Sequence, residues 1–170
     1  MNGKPKVYFS GPEHLLPNGK EVLEGMYALA AEYGFEALPL PEETFQPKST
    51  FEEGQALAAK RRELIRQCDV LIANTKDFRN PIEPYGETSF ELGCGYYWDK
   101  KLVCYMPDAR NCADRWPFAK HKNEDDRWVD EKGISFEPGA LNLMLNSPSR
   151  IVEGTVEDAL KAAKAWIEEG

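Results

Sequence analysis

Glu91 is a carboxylate in an apolar setting, flanked by Phe90 and Leu92 in the run Thr88-Ser89-Phe90-Glu91-Leu92-Gly93. The run reads as the opening of a helix, with Glu91 in its first turn. Two roles fit that position. Thr88-x-x-Glu91 has the spacing of a capping box, in which the glutamate reaches back to the cap residue's backbone N–H. The other role is nucleophilic. A helix's first turn favours an ionised carboxylate through the dipole, and the ionised form is the one that attacks an electrophilic carbon. The residue pattern alone admits both. The cysteines (Cys68, Cys94, Cys104 and Cys112) lie in or beside apolar segments without metal-ligand spacing, so buried free thiols in a reducing compartment are expected.

The elements that must position Glu91 follow from local patterning. Lys6–Ser10 reads as a first strand ended by Gly11-Pro12. Val22, Met26, Leu29 and Tyr33 recur at helical spacing, with Gly34 as the stop. FEALPL (35–40) reads as a second strand and 41–50 as a loop. A second helix is expected over Phe51–Gln67, with Leu57, Leu64, Ile65 and Cys68 inward. The run 69–74 has the unbroken apolar character of a parallel strand buried on both faces. Helix 88–99 and strand 101–106 follow, then a polar, tryptophan-bearing stretch at 107–139 without clear period. Strand 150–152 and a helix opening at Thr155 close the chain. This alternation predicts an α/β fold with a parallel sheet between helix layers, as a single domain over 1–170. Ligands of such sheets bind at the carboxyl ends of the strands, where SGPEHLLP, NTKDFRNPIEPYGE and MPDARN fall.

The chain is 170 residues long, 42% hydrophobic and 29% charged, the composition of a globular protein. A formal charge of −8 argues against a nucleic-acid polymer or an anionic membrane surface as the partner. No apolar run reaches the ~18 residues that would suggest a membrane span, and no signal peptide is read. A cytoplasmic location is expected.

A wider set of motifs narrows the function. Tyr8-Phe9-Ser10-Gly11-Pro12-Glu13, Cys68-Asp69-Val70-Leu71-Ile72-Ala73-Asn74, Phe78-Arg79, Glu83-Pro84, Thr88–Gly93 and Asn142-Leu143-Met144-Leu145 occur in that order. In order and spacing the set resembles the nucleoside 2-deoxyribosyltransferase family, over most of the chain apart from 107–137. The resemblance implies a flavodoxin-like (Rossmann-like) sheet with helices on both faces. It also implies cleavage of a nucleoside N-glycosidic bond, a nucleoside and a free nucleobase as partners, and no metal or organic cofactor. On this resemblance Glu91 attacks the anomeric carbon to give a covalent glycosyl-enzyme, in the manner of a retaining glycosidase. Tyr8 takes the position whose hydroxyl orients the nucleophile; core packing with a satisfied hydroxyl is the alternative. Asn142 matches the asparagine that enters a neighbouring subunit's site to bind the 5′-hydroxyl, which implies a homo-oligomer; a helix cap is its alternative. Gly11, Pro12, Phe78 and Met144 lie in the matched motifs and join the substrate-binding candidates. Asp69 is taken as structural.

The sequence departs from the family pattern beside the nucleophile. Tyr85 stands where the transferases usually carry the aspartate that contacts the sugar's 5′ end. Arg61 stands where many relatives carry an aspartate or asparagine that handles the base. Glu87 replaces the usual glycine. Losing an anion and gaining an arginine would ease binding of a 5′-phosphate; Glu87 works the other way, and Arg61 lies in the basic run KRRELIR, which also reads as a solvated helix face. His14 falls near the expected base pocket, where it could stack on a base or bond to it, or be an ordinary loop residue. Transfer of the sugar to a second base is the leading expectation. Hydrolysis of a nucleoside or nucleoside monophosphate and a non-catalytic nucleotide-binding module are the alternatives.

Overall fold

The computed structural model describes residues 3–41 and 50–169. Along the chain run β1 (Lys6–Ser10), α1 (Gly19–Glu32), β2 (Glu36–Ala37), α2 (Phe51–Gln67), β3 (Val70–Asn74), α3 (Gly86–Tyr97) and β4 (Lys101–Met106). After them come α4 (Cys112–Arg115), β5 (Lys120–Lys122), β6 (Trp128–Asp130), α5 (Leu143–Asn146), β7 (Ser149–Glu153) and α6 (Val156–Glu168). A single-turn 3₁₀ helix, Pro12–Leu15, follows β1.

Five strands form one parallel sheet in the order β2-β1-β3-β4-β7. This is the flavodoxin-like order, which reverses direction between β1 and β3 and so opens a crevice at their carboxyl ends. Alternation along β1 sends Tyr8 to one face and Val7 and Phe9 to the other. On the Tyr8 face, Ile65 of α2, Leu92 of α3 and Leu145 of α5 pack against Leu71, Leu102 and Cys104. On the opposite face, Met26 and Ala30 of α1 and Ala159, Leu160 and Ala163 of α6 pack against Val70, Ile72 and Val103. Every residue of β3 is buried, as its unbroken apolar run predicts.

Several expected boundaries shift. The second strand shrinks to Glu36–Ala37, because the chain beyond Leu38 leaves the ladder and Leu40 N–H donates to the Tyr27 hydroxyl at 3.0 Å. The loop expected over 41–50 lies, apart from its end residues, outside the described residues. The helix expected at 88–99 begins two residues earlier, at Gly86. The aperiodic 107–139 stretch holds α4 and an antiparallel hairpin, β5–β6. Asp69, expected to be structural, accepts from the Lys6 backbone N–H at 2.7 Å and ties the starts of β1 and β3 together.

Candidate active site

Two geometric facts bring Glu91 to the sheet. Residues 88, 91, 92 and 95 share one stripe of α3 and are its buried positions. Gly95 lets the helix lie close: a Cβ there would meet Leu102 Cδ2 at 2.8 Å and Leu71 Cδ1 at 3.2 Å. One turn earlier, the Glu91 side chain therefore lies against β1 rather than in solvent. Tyr8 and Ser10, two apart on that strand, direct their hydroxyls to it.

Both hydroxyls donate to Glu91, Tyr8 to Oε1 and Ser10 to Oε2, each at 2.6 Å. Arg61 Nε stands 3.3 Å from Glu91 Oε1 and 3.3 Å from the Tyr8 hydroxyl. Glu91 is only 4% exposed. Burial pushes its carboxyl above the ordinary value, against the opposing pull of Arg61 and the two hydroxyls. Tyr8 is raised by burial and then by the negative charge of Glu91, so its phenol stays protonated and donates. Burial works against the Arg61 cation, but Glu91, Tyr8 and Glu87 together hold it above its usual value.

The capping box suggested by Thr88 and Glu91 is not formed. Because α3 starts at Gly86, Tyr85 is the N-cap, Thr88 lies in the first turn and Glu91 in the second, beyond reach of the cap amide. The dipole is correspondingly weaker there, and the hydroxyls and guanidinium set the carboxylate's surroundings. Arg61 likewise departs from the solvated-face reading. Lys60, Arg62 and Glu63 are exposed, whereas Arg61 is 5% exposed and shares a stripe with Ile65.

Around this carboxylate a cavity of about 200 Å³ is lined by His14, Leu57, Arg61, Tyr85, Glu87 and Glu91, among others. Arg61 Nη1 is bonded to Glu87 Oε1. The Tyr85 hydroxyl lies 3.4 Å from Glu87 Oε2, and its ring packs on Phe78 (centroids 4.9 Å apart) and His14 (5.9 Å). His14 is set by a 3.0 Å contact between Nδ1 and the Gly11 carbonyl, and its Nε2 stands 3.9 Å from Glu87. Gly11 and Pro12 are buried and do not line the cavity. Phe78, expected to bind substrate, reaches this cavity only through its packing on Tyr85, and Asn142 and Met144 do not join it. Asn142 caps α5, its Oδ1 accepting from Leu145 N–H at 3.2 Å, and Met144 is 78% exposed.

Ser10 is the residue that reasoning from sequence left without a role. The signal was present: two residues from Tyr8 on a strand, it must face the same side. Glu13 was also missed. It is 8% exposed and accepts from Asn74 and, at 3.2 Å, from the Tyr105 hydroxyl.

A flavodoxin-like sheet with a hydroxyl-bound, buried carboxylate at its switch point defines an α/β protein with an acidic crevice. The nucleoside 2-deoxyribosyltransferase family model matches residues 7–149, and the chain belongs to that family. Among solved structures, a 2-deoxyribosyltransferase from Leishmania mexicana is similar at 25% identity and a TM-score of 0.70, with 97% of each chain covered. A conserved protein from Enterococcus faecalis V583 is 16% identical at a TM-score of 0.62, covering 96% of this chain and 99% of its own. A CMP N-glycosidase from Clostridium botulinum is 14% identical at a TM-score of 0.46, covering 95% and 98%. No curated protein matches the sequence. Among the described residues, no helix is long and apolar enough to cross a membrane.

Proposed function

We propose that the protein is a nucleoside 2-deoxyribosyltransferase that works through a covalent glycosyl-Glu91 intermediate. The observation that carries this reading is a buried carboxylate with both oxygens held by hydroxyl donors at the edge of a cavity. A carboxylate has about four lone-pair sites, two on each oxygen. Oε1 accepts from Tyr8 and pairs with the Arg61 cation, whose Nε stands 3.3 Å away; on Oε2, among the described residues, only Ser10 donates. Oε2 is therefore the attacking oxygen. It bonds to C1′ as the C1′–N bond breaks, and the base leaves with the electron pair and takes up a proton from solvent. A second base then attacks C1′ through a ring nitrogen and releases its N–H proton to solvent, and Glu91 leaves as the carboxylate. Both displacements pass through oxocarbenium-like transition states. Tyr8 orients the nucleophile, and His14, on the cavity wall, offers a flat face to the base, with Phe78 packed against Tyr85.

The substrate is the unphosphorylated nucleoside. The Arg61 guanidinium is shared between Glu91 and Glu87, so two carboxylates stand beside the sugar site and already engage this cation. Two like unit charges at ~4 Å cost roughly 4 kcal/mol at an effective dielectric near 20, which weighs against a phosphate here. Tyr85, six residues before Glu91, reads the sugar's 5′ end through its hydroxyl. Assembly completes the site: Asn142 of one copy enters the cavity of another. Its support is an apolar surface, with Phe90 (60%), Tyr97 (80%), Leu143 (51%) and Met144 (78%) exposed on the neighbouring helices α3 and α5.

The test is incubation with deoxyinosine, with and without adenine, repeated with 5′-monophosphates and with Tyr85→Asp. New deoxyadenosine supports transfer. Free base and sugar alone make the protein a hydrolase of the same chemistry, and no turnover makes it a binding module. A parental preference for monophosphates overturns the substrate assignment, and unchanged selectivity in Tyr85→Asp removes Tyr85 from the 5′ end. An active monomer by light scattering refutes the shared site.

A further inference from the structure

Glu87 and Glu91 lie one turn apart on the same face of α3, and one arginine from α2 reaches both. Arg61 Nη1 is bonded to Glu87 Oε1, while Nε stands 3.3 Å from Glu91 Oε1. The Arg61 side chain is 6% exposed and that of Glu91 5%, whereas that of Glu87 is 35% exposed. The nucleophile candidate and the arginine are thus enclosed, and the second carboxylate stands at the cavity wall.

We propose that Glu87 is a positioning residue: it holds the Arg61 guanidinium part-way off Glu91, so that the cation orients the nucleophile without quenching it. The proposal rests on the reading of Glu91 as nucleophile. An arginine facing a lone buried carboxylate forms a two-pronged pair with both oxygens, and a carboxylate so paired is a weak nucleophile. Here the fork is divided. One arm is committed to Glu87, and only Nε addresses Glu91, on the oxygen that Tyr8 also binds. Among the described residues, Oε2 keeps a single neutral donor, Ser10. Glu87 thus acts through Arg61.

The groups facing Glu91 make the direction of the effect unambiguous. Tyr8 and Ser10 address it from β1, Arg61 from α2, and Glu87 and Cys94 from its own helix; Arg62 lines the same cavity, and His14 faces Glu87. Replacing Glu87 by a neutral side chain of the same shape removes a negative charge from beside Glu91 and releases the arginine toward it. Both changes favour the ionised form of Glu91 and lower its basicity.

The experiment compares Glu87→Gln and Glu87→Asp with the parent by two readouts. In steady-state kinetics, Glu87→Gln is expected to lower kcat about tenfold with KM nearly unchanged, the size of one lost ordering interaction. The acidic limb of its pH profile moves to lower pH, and Glu87→Asp recovers most of the rate. The second readout needs no turnover: the ¹³C carboxyl resonance of Glu91, assigned by its loss in Glu91→Gln, titrates at lower pH in Glu87→Gln than in the parent. A raised KM at constant kcat makes Glu87 a direct substrate contact and overturns the proposal, as does an unmoved Glu91 titration. A parent without glycosidic activity defeats the proposed function, while the carboxyl titration still decides whether Glu87 controls the arginine.

Discussion

Among the described residues, two glutamates are buried at the carboxyl end of the sheet, and they are held in different ways. Glu91 binds two hydroxyls, faces a cation shared with Glu87 and lines a cavity. Glu13 binds the Asn74 amide and the Tyr105 hydroxyl, both neutral donors at the ends of β3 and β4. Its side chain folds back under Gly11, where a Cβ would fall 2.1 Å from Glu13 Oε2 and 2.9 Å from Asn74 Cβ. Tyr105 is raised by burial and then by the charge of Glu13, so its phenol remains a donor. Burial of a carboxylate is therefore not a sign of reactivity in itself. Glu13 uses its acceptors to tie the loop after β1 to β3 and β4. Glu91 keeps an acceptor site on Oε2 and an opening beside it.

The contrast can be broken by removing each carboxylate in turn. Glu91→Ala is expected to lower turnover by on the order of 10³-fold or more while the protein stays folded by circular dichroism. Near-normal activity in that variant would make Glu91 as structural as Glu13. Tyr8→Phe removes one hydrogen bond to a charged partner, worth ~1–3 kcal/mol, and should reduce kcat by the corresponding factor; an unchanged rate takes Tyr8 out of the mechanism. Glu13→Ala should show the reverse profile. It leaves the Asn74 amide and the Tyr105 hydroxyl without their acceptor, costing about 1–3 kcal/mol of stability in chemical denaturation, and its loss of kcat should be far smaller than that of Glu91→Ala.

The smallest effect is one of pH. Because the Glu91 carboxyl is raised by burial, activity should fall on acidification through a value above the ordinary carboxylate range. Stability has the opposite sign. The folded state binds this proton at a higher pH than the unfolded chain does, so between those two values stability falls as pH rises. Glu91→Gln should flatten that part of the stability profile, measured as denaturation midpoints across the acid range.

The sheet was legible because its strands are short apolar runs and its helices carry clear stripes; β1, α2, β3 and β4 fall close to where periodicity puts them. Arg61 was harder. Its neighbours Lys60 and Arg62 make a basic run, yet Leu57, Arg61, Ile65 and Cys68 lie on one helical stripe, which is the signal of its burial. The capping-box pattern misled because it depends on where the helix begins, and Gly86 and Glu87 extend α3 by two residues. The 107–139 stretch had no period to read. Much of its backbone is held by side chains: Asp130 Oδ1 accepts from Lys132 and Ile134 N–H, and Asn123 Oδ1 from Asp125 and Arg127 N–H. That stretch also walls a larger cavity, about 760 Å³, lined by Pro84, Trp116, Phe118, Phe136 and Asn142, among others. Size alone would favour that cavity; the chemistry favours the smaller one beside Glu91.

The proposed mechanism turns on a covalent bond between Glu91 and the sugar. A 2-deoxy-2-fluoro nucleoside tests it directly, since the electron-withdrawing fluorine destabilises oxocarbenium-like transition states and slows release of the intermediate. Intact-mass measurement and peptide mapping after incubation should show one sugar residue attached to Glu91. The adduct should be absent in Glu91→Gln and retained in Glu13→Gln. An adduct on another residue, equal labelling of Glu91→Gln, or turnover of the analogue with no adduct at all would contradict the account.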